Sequence, residues 1–252
     1  MNFKTKAVVL RCKSCSEDRK YLSLLTSDSG ILNVLFKIRG SITKSIYCNV
    51  YVAGFYEFNL FKGRFGVIVD SVENIEQFFN LRYSPIRFAL SQYFCELSYF
   101  LGLSGKNLSR HLKLLLNAIW LLERGYFCCE FIKFVFELKL LSISGYMPNL
   151  VCCKFCCSYE KDVMFFCARQ GFLVCADCVN KNNKISGLVE LSKASLYAMR
   201  YVVYKEDRCI FKFKLDKKYL LFLSKLVEDM VLLYLEKDIV TLKIYKELAK
   251  GI

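Results

Sequence analysis

Two prolines, one histidine and one tryptophan are present in 252 residues, and each shortage excludes something. A lone His111 cannot supply the paired imidazoles of a two-histidine zinc hydrolase. It lies between Arg110 and Lys113 and reads as a surface residue or part of a basic face. No Gly-x-x-x-x-Gly-Lys phosphate loop and no Gly-x-Gly-x-x-Gly turn occurs, so nucleotide-driven and dinucleotide enzymes have no anchor, and no catalytic residue is assigned. Long apolar runs are also missing, despite a mean hydropathy of +0.30. The richest stretch, Leu114 to Leu122, contains Asn117 and is followed by Glu123 and Arg124, so no segment is expected to span a bilayer. The first apolar run, Ala7 to Leu10, is too short for a signal-peptide core. A reducing cytoplasm is therefore expected, with no membrane partner. The scarcity of proline beside many Lys, Asn, Phe and Tyr matches the residue usage of an A+T-rich genome.

What is abundant is positive charge, with a net charge of +14. Lys and Arg exceed Asp and Glu by 4, 4, 2 and 4 in residues 1–80, 81–150, 151–185 and 186–252. A chain positive throughout attracts polyanions, with nucleic acid first among them.

Cysteine is abundant too, at fourteen. Cys153-Lys-Phe-Cys156 and Cys175-Ala-Asp-Cys178 form two C-x-x-C pairs at the spacing of a four-thiolate zinc ribbon. Four protein ligands leave no open coordination position, so a single structural Zn2+ is expected. Cys152 and Cys157 flank the first pair and leave its register open, and Cys167 lies inside the loop. Tetrahedral sulfur alone would also admit iron. Cys12-Lys-Ser-Cys15 has no second pair nearby and is read as a decoy.

The apolar period changes near residue 80. Lys6 to Arg11, Tyr21 to Thr26, Ile31 to Phe36, Tyr51 to Phe61 and Phe65 to Glu73 are short β-branched or aromatic runs between turn-prone segments. Five strands in this length suit a small barrel. After Ser84-Pro85, a helix-start signal, the spacing becomes helical. Leu108, Leu112, Leu115, Ile119 and Leu122 form one stripe. Phe127, Phe131, Phe134, Leu138 and Leu141 form another, and Tyr219, Leu223, Leu226, Met230 and Leu233 a third. The class is α+β and multidomain: a barrel at 1–80 and a helical domain at 81–252, interrupted by the cysteine insertion at about 149–185. Lys37, Arg39, Lys44, Lys62 and Arg64 lie in or beside the expected barrel turns, interleaved with Phe36, Tyr47, Tyr51, Phe61 and Phe65, and are the candidate phosphate contacts.

These segments together resemble the RecO family of DNA repair and recombination mediators. The likeness rests on Ala7-Val-Val-Leu-Arg11, Glu17 to Thr26, Leu60-Phe-Lys-Gly-Arg64, and Phe136 to Leu150 running into Cys153-x-x-Cys156. Gly171-Phe-Leu-Val-Cys175-x-x-Cys178 and Tyr234 to Lys243 complete it, in family order over most of the chain. The resemblance implies an amino-terminal five-stranded OB-fold, a helical domain and a four-cysteine zinc-ribbon insertion. It further implies binding of single- and double-stranded DNA, strand annealing, and recombinase loading with RecR on DNA coated by single-stranded-DNA-binding protein, without bond-making catalysis. The setting implied is the bacterial cytoplasm, at the nucleoid. Arg110, Lys113 and Arg124 are candidate cations for the acidic carboxyl-terminal tail of that coating protein. The turn Lys37 to Lys44 carries fewer positive charges than the family's arginine-rich turn there. The alternative is a zinc-ribbon and OB-fold protein that binds structured RNA or adapts transcription or translation.

Overall fold

The computed structural model describes residues 2–17, 19–37, 50–64, 66–102, 108–181 and 185–250, which fall into two compact units. The first unit comprises residues 1–129 and 239–252 and the second residues 130–238.

The first unit begins with β1 (Asn2–Ser16), β2 (Arg19–Thr26), β3 (Ile31–Lys37), β4 (Phe55–Gly63) and β5 (Gly66–Glu76). They close into a barrel in the order β1-β2-β3-β5-β4, with β3 and β5 parallel and all other pairs antiparallel, which is the OB-fold order. Alternation sets the interior: Leu22 and Leu24 of β2, Val34 and Phe36 of β3, and Tyr56, Phe58 and Leu60 of β4 all point inward. In β1 the run Ala7 to Leu10 is buried on both faces, because α1 (Pro85–Gly102) and α2 (Ser109–Arg124) cover its outer side.

The sequence reading starts the fourth strand at Tyr51, whereas β4 starts at Phe55. Ala53 and Gly54 bond instead to Val9, beside a register shift in β1, with Ala53 N donating to Val9 O at 2.9 Å and Val9 N to Gly54 O at 3.1 Å. Ala53 takes a left-handed φ of 71° there. A Cβ on Gly54 would lie 2.5 Å from the Tyr56 ring, so only glycine fits.

The α2 stripe Leu108, Leu112, Leu115, Ile119 and Leu122 is buried, and the helix ends on Gly125, whose φ of 68° places it in the left-handed region that glycine tolerates. His111 departs from expectation: it is only 6% exposed, since it sits three residues after Leu108 and four before Leu115, on the apolar face. Burial, with a smaller push from Arg110, lowers its pKa to about 4. The folded-state value is below the unfolded one, so its contribution to stability is whole above about pH 6.5 and is lost as the pH falls to about 4. The loss is about 3 kcal/mol at full protonation. In acid titrations of unfolding free energy, His111→Gln is expected to flatten the wild-type slope between these limits. Parallel slopes would show that His111 protonates freely in the fold.

Chain 239–250 returns to this unit as α7 (Val240–Lys250), packed on α1. Glu96 of α1 accepts from Thr241 Oγ1 at 2.6 Å and pairs with Arg11 of β1 at 3.3 Å, while the Arg11 guanidinium lies 3.8 Å from the Tyr99 ring centre.

The second unit contains α3 (Cys129–Leu141), in which every residue from Phe131 to Leu141 is buried. A small sheet of β6 (Asn149–Cys153), β7 (Met164–Cys167), β8 (Phe172–Cys175) and β9 (Leu188–Leu191) follows, in the order β6-β8-β7-β9, with the short α4 (Ala176–Lys181) after β8. Last come α5 (Lys193–Tyr204) and α6 (Lys217–Leu235). Two lysines of α3 are buried with partners. Lys133 contacts Glu137 at 3.1 Å and Glu228 of α6 at 3.0 Å. Lys139 donates to the carbonyls of Val202, Val203 and Lys205 at 3.2, 3.3 and 2.9 Å, capping the negative end of α5, and pairs with Asp207 at 3.1 Å.

Candidate metal centre and nucleic-acid interface

The cysteine pairs lie at the ends of strands. Cys153 ends β6 and Cys175 ends β8, while Cys156 lies in the tight turn after β6 and Cys178 in the first turn of α4. The turn is closed by Cys157 N donating to Cys153 O at 3.0 Å and Cys153 N to Ser158 O at 2.9 Å, with Cys157 left-handed at φ 58°. Parallel pairing of β6 with β8 then brings the two pairs together. All four sulfurs lie within 4.8 Å of one another, and Cys156 Sγ is 3.6 Å from Cys175 Sγ. Tetrahedral thiolates about 2.3 Å from an ion stand about 3.8 Å apart, so the cluster has the size of a metal tetrahedron. Cys175 N donates to Cys153 Sγ at 3.4 Å, the amide-to-sulfur bond that a tight knuckle supplies.

The thiols differ in their hold on the proton. Hydrogen bonding with Ser158 brings Cys156 down to about 6, while burial and the neighbouring sulfurs push Cys178 up to about 12. Four clustered sulfurs cannot all be anionic unaided, and a metal cation at their centre would make them so. Cys153, Cys175 and Cys178 are buried and Cys156 is exposed, so such an ion would be held from the inside and reached from one side. Cys152, Cys157 and Cys167 lie outside the cluster, and Cys167 is buried as an apolar residue would be. Cys12 and Cys15 are exposed on β1 and join no metal-sized group among the described residues.

The barrel's basic residues fall in two places. Lys62 and Arg64 are exposed at the β4–β5 turn, beside the 45%-exposed Phe61. Lys37 ends β3 directly across from Arg19, with Lys20 next to it on β2. Like charges opposed across strands repel, and an anion between them relieves the cost. Arg39 and Lys44, with Tyr47 and Phe65, lie outside the described residues. Phe36 is core, at 2% exposure, whereas Tyr51 is on the surface with the Arg82 guanidinium 4.2 Å from its ring centre. Sequence reasoning passed over Arg82 and Lys20. The available signal for Arg82 was a cation between Leu81 and Tyr83, just before the Ser84-Pro85 helix start.

On α2, Arg110, Lys113, Asn117, Trp120 and Arg124 are all on the face opposite the Leu stripe, at helical spacing. The Arg124 guanidinium lies 5.5 Å from the Trp120 ring centre, and Tyr126 meets Trp120 edge to face. The three expected cations thus share one face with an apolar ring.

No described helix is long and apolar enough to cross a membrane. Residues 82–243 match the family model described as Recombination protein O C terminal. A "DNA repair protein RecO" of Acetivibrio thermocellus is 26% identical over 249 residues, covering 98% of each chain. One of Caldicellulosiruptor bescii is 28% identical over 244 residues, covering 96% of this chain and 97% of its own. A third, from Dehalococcoides mccartyi, is 26% identical over 241 residues, covering 94% of this chain and 92% of the relative. With an OB-order barrel in front of the matched region, a four-cysteine cluster within it and likeness along nearly the whole length, the chain belongs to the RecO family of DNA repair proteins.

Proposed function

We propose that this protein is a non-catalytic recombination mediator that binds single- and double-stranded DNA, anneals complementary strands and, with RecR, helps a recombinase onto DNA coated by single-stranded-DNA-binding protein. The observation that carries this reading is the OB-order barrel bearing Lys62 and Arg64 at one turn and Lys37 beside Arg19 and Lys20 at another strand end. Such a barrel binds strands by tracking phosphates with cations and stacking bases on rings, a use that needs no base-specific contact and suits a mediator acting on any sequence. The ion of the Cys153, Cys156, Cys175 and Cys178 cluster is zinc, whose preference for a closed thiolate tetrahedron matches the donor set. Its role is to hold the ribbon. The α2 face of Arg110, Lys113 and Arg124 around Trp120 would receive the acidic, apolar-ended tail of the coating protein. The place of action is the cytoplasm, at the nucleoid.

Equilibrium binding of labelled oligonucleotides over a salt series is the direct test. Lys62→Ala with Arg64→Ala is expected to weaken binding to unrelated sequences alike. It should also shallow the slope of log affinity against log salt by about two, since each lost phosphate contact releases about one counterion fewer. Unchanged affinity and slope in the folded double variant would move DNA off this turn. Annealing with and without RecR, and capture of a tail peptide, then separate the mediator from an RNA-binding adaptor, which would prefer structured RNA and anneal nothing.

A further inference from the structure

A cavity of about 460 Å³ opens in the first unit where the ends of β1 and β2 meet the 50–53 turn, residues 77–82 and the start of α1. Its volume lies in the range of small-ligand sites. Ala53, Phe78 and Leu81 make an apolar interior, and the rings of Tyr51 and Phe88, respectively 39% and 43% exposed, stand at its sides. Lys20 and Arg82 also line it, and neither has a carboxylate partner among the described residues. The Arg82 guanidinium lies 4.2 Å from the Tyr51 ring centre and 5.1 Å from that of Phe79, so two rings hold the cation at the cavity's edge.

Gln92 of α1 lines the same cavity, and its Nε2 is sealed from water without a hydrogen-bond partner among the described residues. A buried amide nitrogen left unpaired is costly, so it calls for a partner such as a water, an ion or a ligand. Gln92 is half-buried, and since its sealed Nε2 does not face the open cavity, its carboxamide would have to turn for that NH2 to meet a ligand there.

The ligand described by these walls is planar, carries a carbonyl acceptor at its inner end and an anion at its outer end. We propose that the cavity receives one unstacked nucleotide of a bound single strand, its base against Tyr51 and Phe88 with a ring carbonyl accepting from Gln92, and its phosphate between Lys20 and Arg82. This rests on the proposed DNA binding and adds to it a preference for strands with free bases, because a base inside a duplex cannot enter. Thymine, cytosine and guanine present a suitable carbonyl and adenine does not, so the site accepts those three bases and disfavours adenine. Lys20 adjoins the Arg19 and Lys37 pair on the strand ends, so a backbone leaving the cavity meets further cations at once.

The test uses the full chain and two oligomers of equal length and charge, thymidine and abasic, with a duplex as third probe. Wild type is expected to prefer the thymidine oligomer to the abasic one by tenfold or more. Gln92→Met and Tyr51→Leu should each lower that ratio severalfold and leave duplex affinity unchanged. Gln92→Met should also melt no lower than wild type without DNA, since it removes an unpaired donor and keeps the volume. Photocrosslinking a 5-iodouracil oligomer is expected to label the peptide holding Tyr51 or Phe88. Crosslinks confined to other segments, or variants that keep the wild-type ratio, overturn the pocket while DNA binding stands. Failure of wild type to bind any of the three probes overturns both readings.

Discussion

Cys175→Ser is expected to strip the proposed zinc from the purified protein and to unfold the ribbon around it. Structural zinc contributes on the order of 10 kcal/mol to small metal-folded peptides, as much as the net stability of a typical domain. The sheet that carries the cluster has strands of only four or five residues, too little apolar area to persist on its own. Metal analysis should therefore find the ion lost, and hydrogen exchange should show amides of residues 149–181 unprotected. Cys157→Ser, whose sulfur lies outside the cluster, should keep both metal and protection. If Cys175→Ser keeps its metal or its protection, the ribbon is held by packing alone. DNA binding by the barrel should survive in Cys175→Ser, because the cluster and the barrel belong to different compact units.

A smaller but still large effect is expected from Lys133→Met. Lys133 lies between two carboxylates, with side-chain exposures of 3% for the lysine, 0% for Glu137 and 6% for Glu228. Removing the cation takes away the charge between Glu137 and Glu228 in the helical core, where Glu228 keeps the more distant Lys225 cation at 3.6 Å. Breaking such a buried pair costs about 3–5 kcal/mol, most of it the penalty of the charge left behind. Urea denaturation of the second unit should register this as a lower midpoint. Lys133→Met combined with Glu137→Leu and Glu228→Leu should recover most of the loss, because an apolar core of similar volume needs no counter-charge. Lys225 would keep Asp229 as partner at 2.7 Å in that variant. A triple variant weaker than the single one would mean that the ion network shapes the packing beyond its charge balance.

The same trio shows where sequence reasoning stops. Lys133 and Glu137 stand four apart, the usual signature of an exposed helical pair. Their burial depends on Glu228, which is remote in the chain and gives no local sign of its role. Lys139 is similar: its partners are the carbonyls at the end of α5, and no side-chain pattern announces a carbonyl. By contrast, the α2 stripe, the helix start at Pro85 and the five barrel strands were legible, since each follows from local periodicity. The cysteine cluster was legible for a different reason: metal geometry fixes residue spacing, so both pairs carry their own arithmetic. His111 was misread although the information was present, because a polar residue at a core position of the helical period was judged by its type. The cavity beside Tyr51 could not be read at all. It exists because Ala53 and Gly54 bond back to Val9, a pairing between segments remote in sequence that makes a turn of what reads as a strand.

The return of α7 to α1 bears on how the molecule is made. Residues 130–238 are contiguous and emerge from the ribosome as one piece, whereas the barrel unit waits for residues 239–250 to supply its last helix and the Thr241 tie to Glu96. The nascent barrel and α1 are thus in the tunnel's exit or beyond it, with an apolar helix face uncovered, throughout the synthesis of the whole second unit. At about 5–20 residues per second that interval is on the order of ten seconds, long enough for chaperones to engage and for a premature stop before α7 to release a chain with its first-made half still open.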